Sequence, residues 1–327
     1  MKPTIFLTRR LPAPAMAILE AAGQLKLWDE TEQPVPREVL RQGLADAAGL
    51  LCLVTDRIDA DLLAAAPRLR VIANMAVGYD NLDLTACTAR GIQVTNTPGV
   101  LNETTADLAW ALMLAAARRI VEGQKLIESG NWGPWYPLQL VGVDVYGSRL
   151  GVVGAGRIGS AVLRRGQGFG MQLAYHNRRP SPELEAQTGA TYLPFDELLR
   201  SSDFIVVTAP LTEQTRGLFD AHAFALMQET AIFVNIARGP LVREADLVAA
   251  LQAGRPRAAG IDVFDVEPIG ADHPLLALPN CVCVPHIGSA SLATRTRMAT
   301  LAAENLAAVL AGQPALTPVN MLDAHRG

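Results

Sequence analysis

The sequence predicts an α/β protein built from two doubly wound parallel-sheet domains. Three observations carry this. Short apolar or β-branched runs alternate with Ala/Leu-rich amphipathic stretches along the whole chain, the pattern of βαβ units. A glycine-rich segment, Gly154-Ala155-Gly156-Arg157-Ile158-Gly159, follows the apolar run Leu150–Val153 and opens a helix-like stretch. The length, 327 residues, suits about two domains.

In the first third the strands read as Thr4–Thr8, Leu50–Thr55, Val71–Asn74 and Ile92–Thr95, with helices near Ala13–Ala22, Arg37–Gly43, Asp59–Ala66 and Asp83–Arg90. Thr97-Pro98-Gly99 breaks the alternation. Asn102 reads as the cap of one long helix, Glu103 to Gly123, apolar over most of its surface and so expected to be buried. The turn-rich loop Ser129–Pro137 holds two of the four tryptophans, Trp132 and Trp135. Aromatics there fill a core edge or anchor a subunit interface. From Arg149 the alternation resumes, with strands at Leu150–Val153, Gln172–His176, Phe204–Thr208, Ala231–Asn235, Ala258–Asp262 and Val282–Val284, the six-strand doubly wound pattern. A last amphipathic helix runs from about Ala293 to Gly312. If it packs back on the first third, residues 98–292 form a Rossmann nucleotide domain inserted in a flavodoxin-like outer domain of residues 1–97 and 293–327.

Composition bounds the function. Half of the residues are hydrophobic and the formal net charge is −4, so nothing electrostatic points to nucleic acid or an anionic membrane. The longest apolar run, Leu108 to Ala117, is too short to span a bilayer, and the start of the chain reads as a strand rather than a signal peptide. The expectation is a cytoplasmic protein. The four cysteines, Cys52, Cys87, Cys281 and Cys283, have no metal-ligand spacing, and no metal is expected. Cys281 and Cys283 fall on one face of a strand and read as core packing.

Each glycine of the Gly154 segment has a physical role. Gly154 allows a tight turn, Gly156 lets the backbone approach a pyrophosphate, and Gly159 seats the helix close to the strand. Amides near Arg157 and Ile158 then face the pyrophosphate at the positive helix end. About 20 residues further on, NAD-binding chains carry an acid that bonds the ribose 2′-hydroxyl. Here Asn177, Arg178 and Arg179 stand at that place. Guanidinium groups clamp a 2′-phosphate that a carboxylate repels. The expected cofactor is NADPH, with NADH as the weaker alternative.

Three segments put reactive side chains just past strand ends, where open α/β sheets bind ligands: Asn235–Gly239, Asp262–Pro268 and Pro285–Ser289. An Arg, a Glu and a His after successive strands suit hydride transfer to a carbonyl. His286 protonates the oxygen as hydride reaches carbon. Glu267 hydrogen-bonds the imidazolium, raises its pKa and fixes its tautomer. Arg238 binds a substrate carboxylate and polarises the carbonyl.

With these residues the chain resembles the D-isomer-specific 2-hydroxyacid dehydrogenases, which carry this Arg, Glu and His in this order, and within them the glyoxylate/hydroxypyruvate reductases. The resemblance covers nearly the whole chain. It includes 74–81 (NMAVGYDN), 94–98 (VTNTP), 104–108 (TTADL), 208–212 (TAPLT) and 285–290 (PHIGSA). It implies reduction of a small 2-oxo acid such as glyoxylate, hydroxypyruvate or 2-ketogluconate to a D-2-hydroxy acid. It also implies that the amides of Val77 and Gly78 hold the substrate carboxylate and that Leu101 lines the substrate pocket. Thr105, Thr208, Pro210, Thr215, Ile236, Ala237, Asp262 and Gly288, with Arg238, His286 and the glycine loop including Ala155, are implied to line the cofactor. A homodimer through the nucleotide domains is implied, with Trp135 reaching the partner's site, and a cleft that closes on binding. Arginines in place of the ribose acid depart from the NAD-dependent members, and the absence of a regulatory extension departs from the long phosphoglycerate dehydrogenases. Formate dehydrogenases on this scaffold carry Gln where Pro285 stands. Phosphite dehydrogenases and dinucleotide-sensing corepressors on the same scaffold remain open alternatives.

Overall fold

The computed structural model describes residues 2–30 and 33–322. The chain divides into two compact units, Met1–Leu101 with Ala290–Gly327, and Asn102–Ser289. The boundaries expected from the sequence, 97/98 and 292/293, lie a few residues away. Met1 and 323–327, assigned above to the outer domain, fall outside the described residues.

The first unit holds a five-stranded parallel sheet in the order β2-β1-β3-β4-β5, the flavodoxin-like order, from β1 (Thr4–Leu7), β2 (Gln24–Leu27), β3 (Gly49–Cys52), β4 (Val71–Asn74) and β5 (Gln93–Thr95). Its helices are α1 (Ala13–Ala22), α2 (Arg37–Leu44), α3 (Ala60–Ala64) and α4 (Leu84–Ala89). Asp59 and Asp83 cap the last two by accepting from the amides of Leu62 and Ala86. The central strands β3 and β4 are buried at every residue, as a parallel sheet covered on both faces requires. Strand β2 was not expected from the sequence. It is a half-exposed edge strand, QLKL, too short and too polar for the apolar-run criterion.

The second unit contains a seven-stranded parallel sheet, β12-β11-β10-β9-β6-β7-β8. Its strands are β6 (Arg149–Val153), β7 (Gln172–His176), β8 (Thr191–Tyr192), β9 (Phe204–Val207), β10 (Ile232–Asn235), β11 (Ala258–Ile261) and β12 (Cys281–Cys283). All six expected strands are present; the seventh, β8, is a two-residue edge pairing with β7. The order reverses between β6 and β9, which sets a ligand crevice at their carboxyl ends. The helices here are α5 (Asn102–Ala117), α6 (Ile120–Glu128), α7 (Arg157–Gly168), α8 (Pro182–Thr188), α9 (Phe195–Ser201), α10 (Ala221–Leu226) and α11 (Glu244–Gln252). The last helix of the chain, α12 (Leu292–Leu310), packs on α1, β3 and β4 of the first unit.

The single helix expected over 103–123 is two. The Ala117 carbonyl accepts from the Val143 amide at 3.0 Å, and a Cβ on Gly142 would lie 2.0 Å from that same oxygen. The returning chain thus takes the helix end, and Arg119 adopts a left-handed φ of 53° before α6 begins. Helix α5 buries Trp110, which stacks on Phe169 with centroids 4.5 Å apart and donates to the Val162 carbonyl at 3.1 Å. The aromatic loop fills no core edge: Trp132 and Trp135 are 64% and 80% exposed. Cys281 and Cys283 are half-buried against the second unit's core, their sulfurs 3.6 Å apart.

Candidate active site

The glycine segment connects β6 to α7. Gly154 has φ 92°, and a Cβ there would lie 2.4 Å from the backbone of Ala209, so only glycine fits. Its amide donates to the His176 carbonyl at 2.9 Å. Its carbonyl accepts from Thr208 Oγ1 at 2.8 Å. These two bonds fix the turn between β7 and β9. A Cβ on Gly159 would meet Val152 Cγ1 at 2.9 Å and Thr208 Oγ1 at 2.8 Å, so α7 lies hard against the sheet. At Gly156 the opposite holds: a Cβ would meet nothing nearer than 4.0 Å. That open face lies at the start of a 12-residue helix whose first turn has no side-chain cap. The residues therefore fit a dinucleotide pyrophosphate, with the amides at Arg157 and Ile158 at the positive helix end.

At the end of β7, Asn177 Nδ2 donates to the Ala155 carbonyl at 3.3 Å and ties this corner to the glycine loop. Arg178 and Arg179 follow, both exposed and without an ion pair to any described residue. Two free guanidiniums thus stand where other chains place an acid. Thr215 Oγ1 donates to the Pro210 carbonyl at 2.7 Å and shapes the loop after β9.

The catalytic candidates stand past the ends of β10, β11 and β12. Asn235 closes β10 by donating to the Arg238 carbonyl at 2.9 Å and accepting from the Ala237 amide at 3.1 Å. This turn presents Arg238, and Ile236 is buried behind it. Gly239 follows because a Cβ there would lie 1.9 Å from the Phe264 carbonyl group. The Arg238 turn is pressed against the segment carrying Glu267.

His286 Nδ1 lies 2.7 Å from Glu267 Oε2, and Glu267 Oε1 accepts from the Phe264 amide at 2.9 Å. The two side chains are 32% and 27% exposed. Burial pushes the Glu267 carboxyl up. The hydrogen bond and charge of His286, the Phe264 amide and the charge of Arg238 outweigh it and hold the group below its ordinary range. One carboxylate thus couples Arg238 and His286.

Asp262 is buried at the end of β11. Its Oδ1 accepts from the Ile287 amide at 2.6 Å, its Oδ2 from the Gly288 amide at 2.9 Å, and its backbone carbonyl from the His286 amide at 2.9 Å. His286 itself has a left-handed φ of 51°, a costly conformation for a side-chain-bearing residue. The three bonds to Asp262 hold it there. Burial pushes the Asp262 carboxyl up to about 6, against the pull of the Ile287 amide, the His286 charge and the Gly288 amide. Thr105 is buried next to Gly288, its Cγ2 3.4 Å from where a Cβ on that glycine would lie.

The second unit therefore brings together Arg238, Glu267, His286, Asp262, Thr105 and Gly288. Val77, Gly78 and Leu101 belong to the first unit. There Val77 and Gly78 are half-buried and Leu101 is buried. Sequence reasoning missed the tether from Asp262 to the 286–288 amides and the close approach at Gly239. The signal for the second was present, since a glycine directly after a strand-end Arg marks a close backbone approach. Among the described residues no group of three or more His, Cys, Asp or Glu side chains could hold a metal ion.

A doubly wound sheet with a pyrophosphate-accepting loop at its switch point and an Arg–Glu–His set at the same edge defines a dinucleotide-dependent oxidoreductase. Residues 110–288 match the family model described as D-isomer specific 2-hydroxyacid dehydrogenase, NAD binding domain. A glyoxylate reductase of Thermococcus onnurineus is 45% identical over 324 residues, 98% of this chain and 96% of that one. A Thermus thermophilus crystal structure superposes with a TM-score of 0.90 at 45% identity, covering 97% of this chain and 100% of that one. An NADPH-dependent glyoxylate/hydroxypyruvate reductase of Sinorhizobium meliloti, solved with NADP and malonate, gives 0.86 at 33% identity, covering 98% and 97%. The chain belongs to the D-isomer-specific 2-hydroxyacid dehydrogenase family.

Proposed function

We propose that the protein reduces small 2-oxo acids, glyoxylate first, to the D-2-hydroxy acid with NADPH as the preferred cofactor. Hydroxypyruvate and 2-ketogluconate are the further substrates to test. The observation that carries the reading is the 2.7 Å contact of His286 Nδ1 with Glu267 Oε2 beside Arg238. With Nδ1 engaged, Nε2 is the ring nitrogen left to give a proton to the carbonyl oxygen. The bound dinucleotide supplies a hydride to the carbonyl carbon. Arg238 takes the substrate carboxylate and draws charge from the carbonyl. In the first unit, Val77 and Gly78 offer amides to a substrate carboxylate, and Leu101 lines a substrate pocket. Asp262, Thr105, Thr208, Pro210, Thr215, Ile236, Ala237 and Gly288 surround the cofactor.

The NADPH preference is supported by the two unpaired guanidiniums of Arg178 and Arg179 and by the absence of an acid at Asn177. The Thermococcus relative is named a glyoxylate reductase and the Sinorhizobium structure an NADPH-dependent glyoxylate/hydroxypyruvate reductase, which supports both halves of the reading. A homodimer through the second unit is part of the proposal. Its support is the apolar surface of Trp132, Trp135, Tyr136 and Leu138, more than half exposed in the single chain, and its check is sedimentation of the purified protein. We place the reaction in the cytoplasm, where the NADPH pool is kept reduced. A panel of 2-oxo acids, each assayed with NADPH and NADH, tests the function. Phosphite oxidation with no 2-oxo acid turnover would overturn it, as would binding of dinucleotide without turnover of any acid.

A further inference from the structure

Three consecutive carbonyls after β4 are each held by a donor from another part of the first unit. The Ala76 carbonyl accepts from the Thr97 amide at 2.8 Å. The Val77 carbonyl accepts from Asn96 Nδ2 at 2.8 Å. The Gly78 carbonyl accepts from Asn74 Nδ2 at 2.9 Å. The amides of Val77 and Gly78 donate to no described residue.

A peptide unit is planar, with its C=O and the next residue's N–H pointing in opposite directions. Holding one end of the unit therefore aims the other. The Thr97 amide, by holding the Ala76 carbonyl, aims the N–H of Val77. Asn96, by holding the Val77 carbonyl, aims the N–H of Gly78. Asn74, by holding the Gly78 carbonyl, fixes the peptide that follows. Two adjacent open N–H groups with their carbonyls turned away form an anion-accepting concavity.

We infer that Asn96 is a positioning residue that orients the Gly78 amide, beside the Val77 amide set by Thr97, toward the carboxylate of the substrate, while Asn74 holds the far end of the same loop. The inference rests on the 2-oxo acid reading above. Both places call for a side-chain donor. An aspartate could not donate to the carbonyl and would set a negative charge beside the arriving carboxylate.

Asn96 is braced in turn. Its carbonyl accepts from Thr317 Oγ1 at 2.6 Å, and its amide donates to the Thr317 carbonyl at 3.4 Å. Thr317 is gripped at both ends by the buried Asn305 of α12: its amide donates to Oδ1 at 2.9 Å and its hydroxyl accepts from Nδ2 at 2.9 Å. Asn74 is fully buried at the end of β4, where Asn81 contacts it at 3.4 Å. Asn81 in turn donates to the carbonyls of Leu53 and Asp56 at 3.1 and 3.0 Å. The loop is thus set by two separate side-chain networks, one reaching α12 and one reaching the loop after β3.

The test compares wild type with Asn96→Ala and Asn96→Asp, since Asn96 is only half-buried. The readouts are KM and kcat for glyoxylate, the inhibition constant of oxalate, the rate with methylglyoxal, NADPH affinity and melting temperature. Methylglyoxal offers a reducible carbonyl without a carboxylate. Asn96→Ala should raise the glyoxylate KM and the oxalate constant roughly 5- to 10-fold, the scale of one lost hydrogen bond. kcat, NADPH affinity and kcat/KM for methylglyoxal should stay within about twofold of wild type. Asn96→Asp should exceed Asn96→Ala in KM by about threefold or more, through like-charge repulsion.

Unchanged KM and oxalate constants in Asn96→Ala, or an equal loss with methylglyoxal, would overturn the inference. Should that variant fail to fold, Thr317→Val, which loosens the brace alone, should still raise the oxalate constant by about twofold to threefold; no change there would likewise overturn it. If wild type neither turns over glyoxylate nor is inhibited competitively by oxalate, the 2-oxo acid reading itself has failed, and the inference with it.

Discussion

Glu267 binds His286 with one carboxylate oxygen, at 2.7 Å from Nδ1, and the Phe264 amide with the other, at 2.9 Å. The first bond occupies Nδ1 and leaves Nε2 as the ring nitrogen that the proposed mechanism uses. The second ties the carboxylate to the backbone just past β11. In the proposed mechanism Nε2 would give its proton from this anchored ring.

Replacing Glu267 with Gln keeps the shape and removes the charge. The reductive kcat should fall roughly 10- to 100-fold, the range of a weakened general acid. The stability effect has a definite sign. Glu267 is held below its ordinary 4.5, so its contribution is fully present above that value and is lost only as pH falls through the lower, folded-state value. The gap in melting temperature between wild type and Glu267→Gln should therefore hold from neutral pH to 4.5 and close beneath it. A gap that closes already above 4.5 would contradict the assignment.

Asp262 acts with the opposite sign. Its carboxyl is raised from 3.8 to about 6 by burial. The protonated form is the one that folding favours, so its contribution is present below about 4 and is lost as pH rises through about 6. Thermal stability should decline across that window by an amount on the order of 3 kcal/mol, and less if other groups offset it. Asp262→Asn should flatten the slope between pH 4 and 6. It should also lower overall stability by about 1–3 kcal/mol, because the amide nitrogen that replaces one oxygen cannot accept, and the Ile287 or Gly288 amide loses its partner. A slope that survives in the variant would assign the titration elsewhere.

The arginine pair makes a separate prediction. Arg178→Ala with Arg179→Ala should raise KM for NADPH by about tenfold to a hundredfold, the value of one charged hydrogen bond, and leave KM for NADH nearly as it was. Equal losses for both cofactors would show that the guanidiniums do not meet a 2′-phosphate.

Gly239→Ala probes the close approach of two loops. The added methyl carbon would lie 1.9 Å from the Phe264 carbonyl group, which the backbone cannot yield cheaply. Destabilisation of about 1–3 kcal/mol is expected, read as a lowered midpoint in urea. Because the Arg238 turn must move, the glyoxylate KM should rise while NADPH affinity stays. A variant as stable as wild type would mean the two segments are not in contact in solution.

Much of this was legible in the sequence, because the relevant signals are local. The strand–glycine–helix junction at 150–159 needs only neighbouring residues to be read, and so does the missing acid at Asn177. The order of Arg238, Glu267 and His286 follows from strand ends. What escaped reading depends on distant partners. The break between α5 and α6 comes from the Val143 amide and the close pass of Gly142, more than 20 residues away. Strands β2 and β8 are edge elements of four and two residues, fixed by pairing rather than by their own composition. The tether of Asp262 to the 286–288 amides joins segments 25 and 26 residues apart. Whether the Trp132–Trp135 loop fills a core edge or anchors a subunit interface turns on tertiary burial, and the structure leaves both indoles exposed.

The most direct test of the account is a single-turnover measurement of NADPH oxidation by glyoxylate with wild type and His286→Ala. Wild type should oxidise bound NADPH when glyoxylate is added. The variant should bind NADPH with unchanged affinity and lose roughly 10²- to 10⁴-fold in the rate of that oxidation. A variant that oxidises NADPH as fast as wild type would remove His286 as the proton donor and contradict the mechanism.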